Sequence, residues 1–74
     1  MMAYVMINTE IGSEKEVLEA IKKIKNVTEV HAVYGVYDIV AKVEAESINE
    51  LKGTITSEIR RLNKVRSTLT MVAM

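Results

Sequence analysis

The sequence lacks cysteine, proline, tryptophan and phenylalanine, and its 74 residues include one histidine and three glycines. Without cysteine there is no disulfide framework, no thiol nucleophile and no thiolate-ligated zinc. His31 is the only imidazole, which excludes a His-rich metal site or a two-histidine mechanism within one chain. No metal or organic cofactor is therefore expected. No apolar run approaches the roughly 18–20 residues of a membrane-spanning helix, and the N-terminus lacks the basic segment of a signal peptide. A cytoplasmic protein with no membrane contact is the expectation. An excess of one charge is missing too: 10 basic side chains balance 10 acidic ones. Modules that bind nucleic acid mainly by neutralising phosphates are usually strongly basic, so direct DNA binding is not expected.

What is present points to a folded module. Hydrophobic residues make up 49% of the chain, too many for a disordered segment. The length allows one domain, residues 1–74. A single core of this size rarely supplies more than about 3–5 kcal/mol, and with disulfides excluded and no metal site apparent, oligomerisation is the remedy left open.

Hydrophobic periodicity divides the chain into six elements. Residues 3–9 read as a strand, rich in β-branched and aromatic types. Ile11-Gly12 breaks that pattern, and Ser13 with Glu16 forms a capping box that starts a helix. Val17, Leu18, Ile21 and Ile24 share one face of it. Lys22, Lys23 and Lys25 suit the negative end of its dipole, and Asn26 can terminate it in the left-handed region. Residues 27–34 and 38–44 form two further strands, with Tyr34-Gly35-Val36-Tyr37 as a tight hairpin in which Gly35 can adopt positive φ. Ser47 with Glu50 repeats the capping box, and Ile48, Leu51, Ile55, Ile59 and Leu62 make a second apolar stripe. Gly53 interrupts that stripe at a cost of about 1 kcal/mol relative to Ala, which marks it as a point of close backbone packing. Residues 65–73 form the last strand. Two strand-helix-strand halves with matching caps predict an α+β ferredoxin-like βαββαβ sandwich: a four-stranded antiparallel sheet with both helices on one face.

The uncovered side of that sheet is informative. In a monomer it should be polar. The first strand instead is apolar on both sides, Val5 and Ile7 against Tyr4 and Met6. The third sets Ile39, Ala41 and Val43 against Asp38, Val40 and Lys42. A second buried face is the preferred reading and predicts a homo-oligomer; the alternative is a two-sided sheet with ordinary exposed apolar residues.

Two segments resemble a known family. Residues 30–40, with Gly35-Val36-Tyr37-Asp38 at their centre, are similar to the central motif of the Lrp/AsnC ligand-binding domain. Val65-Arg66-Ser67-Thr68-Leu69-Thr70-Met71-Val72 resembles that family's last strand. The likeness extends over the whole chain in element order and length. The nearest likeness is to stand-alone RAM proteins (regulation of amino-acid metabolism), frequent in archaea, because the chain starts two residues before the first strand and leaves no room for a helix-turn-helix domain. The resemblance implies homodimers with facing sheets, assembled into octamer- or decamer-like rings, with amino-acid effectors between dimers. It also implies full-length Lrp/AsnC paralogues as partners.

Each candidate site residue carries two readings. Asp38, the only aspartate, can accept a ligand ammonium group or can satisfy hairpin backbone groups. Backbone N–H groups at Gly35 and Val36 can donate to a carboxylate, or Gly35 can serve turn geometry alone. Tyr37 can pack on ligand or on a mate subunit. Thr68 and Thr70 project from one side of the last strand, as ligand donors or as ordinary strand residues. His31 reads as an interface or strand residue rather than a catalytic base, since no nucleophile or partner carboxylate can be placed beside it from sequence. The expected function is a non-enzymatic amino-acid-sensing module that modulates transcription regulators through assembly. Three rivals share the topology: a dimeric α+β-barrel enzyme of oxygenase or isomerase type, an ACT-like regulatory subunit, and an RNA-binding module. The last needs stacking aromatics on its central strands, and only Tyr4 is available.

Overall fold

The computed structural model describes residues 1–74. The chain runs β1 (Met2–Thr9), α1 (Glu14–Lys22), β2 (Val27–Ala32), β3 (Ile39–Glu44), α2 (Ile48–Thr54), a π-helical segment (Ile55–Ile59) and β4 (Val65–Ala73). The strands form one antiparallel sheet in the order β2-β3-β1-β4, the ferredoxin-like α+β arrangement expected. β1 and β3 are central, so their helix-facing residues are the most deeply buried. Ala3, Val5 and Ile7 from β1, with Ile39, Ala41 and Val43 from β3, meet Val17 and Ile21 of α1. Leu51, Ile55 and Ile59 close the core from the second helix.

The second stripe explains its own backbone. Leu51, Ile55 and Ile59 are spaced by four residues, and each such step overshoots a full α-turn by about 40°. The wider π-turn takes up that drift: the Arg60 N–H donates to the Ile55 carbonyl at 3.0 Å, and all three side chains stay on the core. Gly53 and the β-branched run Thr54-Ile55-Thr56 weaken α-helical preference there. Gly53 is exposed, and a Cβ added to it would meet nothing within 4 Å. The close packing expected at Gly53 is absent.

The two capping boxes differ. Ser47 is extended, and its Oγ accepts from the Glu50 N–H at 3.1 Å. Ser13 sits at φ −106°, ψ 8°, which does not turn its side chain onto the first-turn amides, and it makes no such bond. Its N–H instead donates to the Glu10 carbonyl at 2.9 Å across a turn that places Gly12 at φ +84°. α1 ends at Lys22, before Lys23 and Lys25, and Asn26 follows as the only non-glycine with positive φ (79°). The Asn26 amide donates to Glu50 at 3.1 Å and Thr54 at 3.0 Å, tying the turn before β2 to α2.

The β2–β3 connection is longer than a tight hairpin. β2 stops at Ala32 and β3 begins at Ile39, with the Val33 N–H donating to the Asp38 carbonyl at 2.9 Å. Gly35 does not occupy the left-handed region, because the longer loop spreads its reversal over residues 33–38. Gly12, not Gly35, is the glycine with positive φ.

The face turned away from the helices carries Met2, Tyr4 and Met6 of β1 beside Leu69 and Met71 of β4 and Val40 of β3. Tyr4, Leu69 and Met71 are 39%, 46% and 49% exposed in the single chain, while Met6 and Val40 are half-buried by their neighbours. Glu29, His31 and Lys42 occupy the β2 side of the same face.

Ile59→Val should cost about 0.5–1.5 kcal/mol, as the loss of a core methylene does. Ile11→Val, at an exposed turn, should stay within about 0.5 kcal/mol of the parent. Urea midpoints at matched protein concentration check both.

Candidate functional site

The ends of β1, β3 and β4 meet the β1–α1 turn at one end of the sheet, and the irregular backbone there creates a concavity of about 410 Å³. Asn8, Thr9, Ile11, Glu14, Asp38, Arg66 and Ser67 line it. Its size falls within the range of small-molecule sites. No other concavity of the chain touches a residue of the expected site.

Asp38 enters this site from the start of β3. Its N–H donates to the Ile7 carbonyl at 3.0 Å, continuing the β1–β3 ladder. Its carboxylate Oδ2 accepts from the Thr9 N–H at 2.9 Å and lies 3.4 Å from the Thr9 hydroxyl. Asp38 thus satisfies a backbone group, but on β1 rather than within its own hairpin. Oδ1 makes no hydrogen bond in the chain, so the carboxylate is oriented by one oxygen and open at the other.

The remaining expected residues lie apart from this cavity within one chain. Gly35 and Val36 sit at the exposed loop tip beyond it, beside the fully exposed Tyr34. A Cβ on Gly35 would meet nothing within 4 Å, so no close backbone approach occurs there in the single chain. Tyr37 is half-buried. Thr68 and Thr70 stand opposite Ile7 and Val5, which puts both on the helix-facing side of edge strand β4. Thr68 is half-buried and Thr70 exposed. Neither lines the concavity around Asp38.

Sequence reasoning missed six of the seven lining residues: Asn8, Thr9, Ile11, Glu14, Arg66 and Ser67. Asn8 and Ser67 face each other across β1 and β4, with the Asn8 amide 3.4 Å from the Ser67 hydroxyl. Arg66 and Ser67 fall inside the last-strand motif, which was the available signal. Asn8, Thr9, Ile11 and Glu14 had none beyond their nearness to the first turn.

His31 stands opposite Val40 with Nε2 3.3 Å from Glu29 Oε1, and Lys42 Nζ lies 3.8 Å from the other oxygen of Glu29. The imidazole shares neither a hydrogen bond nor a concavity with Asp38. No three carboxylate or imidazole side chains converge in a way that could hold a metal ion, and no helix is long and apolar enough to cross a membrane.

Comparison with known proteins gives a consistent result. The family model described as the Lrp/AsnC ligand binding domain matches residues 2–74. No curated protein sequence matches the chain. Among solved structures, FFRP-DM1 is 36% identical with TM-score 0.94, over 99% of this chain and 97% of its own. TTHA0845 from Thermus thermophilus is 34% identical with TM-score 0.93, over 99% and 91% respectively. The transcriptional regulator NMB0573 from Neisseria meningitidis, solved as a complex with L-Met, is 12% identical with TM-score 0.85 and therefore shares the fold. The match spans 99% of this chain and 49% of that one.

Asp38→Ala leaves the Thr9 N–H without its acceptor at a partly buried site, and should destabilise the chain by about 1–3 kcal/mol. Gly35→Ala should remain within about 0.5 kcal/mol of the parent, since neither φ nor space forbids a methyl group. Thermal denaturation of the two variants side by side checks the contrast.

Proposed function

The chain belongs to the Lrp/AsnC ligand-binding domain family, and from that premise we propose that it is a non-enzymatic, oligomeric sensor of free amino acids. The observation that carries this reading is the Asp38 carboxylate, held by Thr9 through one oxygen and open at the other on a concavity of small-molecule size. A free amino acid needs an anionic acceptor for its ammonium group, and Asp38 supplies one already oriented. The complex of NMB0573 with L-Met supports a ligand of this class on this fold.

In this reading two copies pair through the apolar sheet face bearing Tyr4, Met6, Leu69 and Met71, and dimers assemble into a ring. The loop tips at Gly35, Val36 and Tyr37 and the β4 residues Thr68 and Thr70, which lie off the Asp38 cavity in one chain, contribute to effector sites where dimers meet. An effector bound there favours the assembly state to which it binds more tightly, and only that difference in affinity can move the equilibrium. Any effect on transcription then runs through partner regulators of the same family. The 74 residues themselves carry no net charge with which to hold DNA.

A thermal-shift screen of the twenty amino acids tests this. A ligand at about 100 times its Kd stabilises by about 2.7 kcal/mol, a shift of several degrees for a domain this small. At least one amino acid should produce it with the parent protein and none with Asp38→Ala. No shift with any of the twenty would contradict the sensing reading.

A further inference from the structure

The register between β1 and β4 steps from Asn8↔Ser67 to Thr9↔Val65, so β4 advances two residues while β1 advances one. Arg66 is the extra residue of this β-bulge, and a bulge re-aims the side chain it carries. Here it leaves Arg66 lining the same concavity as Asp38 and Glu14. The Arg66 guanidinium makes no ion pair or hydrogen bond elsewhere in the chain, and neither does the Glu14 carboxylate. The site therefore presents one free cation and two carboxylates around a single cavity, with Ile11 as its only apolar lining residue.

We infer that Arg66 binds the effector's α-carboxylate and that Glu14 makes the site selective for amino acids with a cationic side chain. This inference rests on the amino-acid-sensing reading and names the class of effector. A guanidinium pairs a carboxylate through two parallel N–H donors and adds a full positive charge, and Arg66 lines the Asp38 concavity while Gly35 and Val36 do not. With the ammonium group on Asp38 and the α-carboxylate on Arg66, the lining keeps one uncompensated negative charge, that of Glu14. A neutral side chain would cover Glu14 without pairing it, and an acidic one would oppose it. A basic side chain places its charge against Glu14 while its methylenes lie along Ile11.

Calorimetric titration at low ionic strength with lysine, norleucine and lysinamide tests both assignments. Norleucine keeps a straight apolar side chain without the terminal amine, and lysinamide lacks the carboxylate charge. A charge-assisted contact corresponds to about tenfold in affinity or more. Lysine should bind at least about tenfold more tightly than norleucine. Glu14→Gln should remove that preference by weakening lysine alone. Arg66→Gln should weaken lysine and norleucine by about tenfold and leave lysinamide unchanged. Norleucine binding as tightly as lysine, or lysine binding unaffected by Arg66→Gln, would overturn this inference while leaving amino-acid sensing intact. Failure of all twenty amino acids to bind would overturn the sensing reading itself.

Discussion

Two helices cover one face of a four-stranded sheet, and the other face is also apolar where β1 and β4 run side by side. This imbalance is the constraint on which the rest of the molecule depends. On the covered side the demand for burial is met: Ala3, Val5, Ile7, Ile39, Ala41 and Val43 are fully enclosed beneath α1, α2 and the π-helical segment. On the open side the register sets Tyr4 opposite Met71 and Met6 opposite Leu69, so apolar side chains from two strands form one patch. Monomeric proteins seldom leave large contiguous apolar patches in water. A chain this small has few other sources of stability, since each such side chain is worth about 1.5–3 kcal/mol when buried. The proposed pairing of sheets follows from that comparison.

The same central strand organises the site. β1 delivers its alternating residues to the core up to Ile7, and its last residue, Thr9, holds Asp38 in place from across the ladder. The bulge at Asn8 and Thr9 ends the regular pairing with β4 and leaves Arg66 lining the same concavity as Asp38. Regular pairing makes the core, and the place where it fails makes the cavity. Groups that bind polar ligands are often found where a rigid scaffold gives way to irregular backbone, because unpaired polar groups can face solvent there.

The architecture was largely legible because it rests on signals of local range. The Val17–Leu18–Ile21 spacing marks α1, with Ile24 falling beyond its end, and the alternation Val5–Ile7 against Tyr4–Met6 marks a central strand. Asn26 was legible as a left-handed residue, since few other residue types tolerate that conformation. The features that escaped turn either on exact backbone dihedrals or on partners distant in sequence. The role of Gly12 depends on how β1 turns into α1, and the Ser47 cap forms while the Ser13 cap does not because only Ser47 is extended. Asp38 was legible as a candidate from its motif, but its bond to Thr9 spans 29 residues. Arg66 lies within the last-strand motif with no local signal of its role, because a bulge appears only once β1 and β4 are in register.

The proposed pairing makes the open sheet face an interface between copies of this chain. Sedimentation velocity at micromolar concentration measures that most directly. A dimer or larger assembly of the 8.3 kDa chain is the predicted result, shifting toward the monomer when a charge is placed in the patch by Leu69→Glu. A single 8.3 kDa species for the unmodified chain would contradict the account.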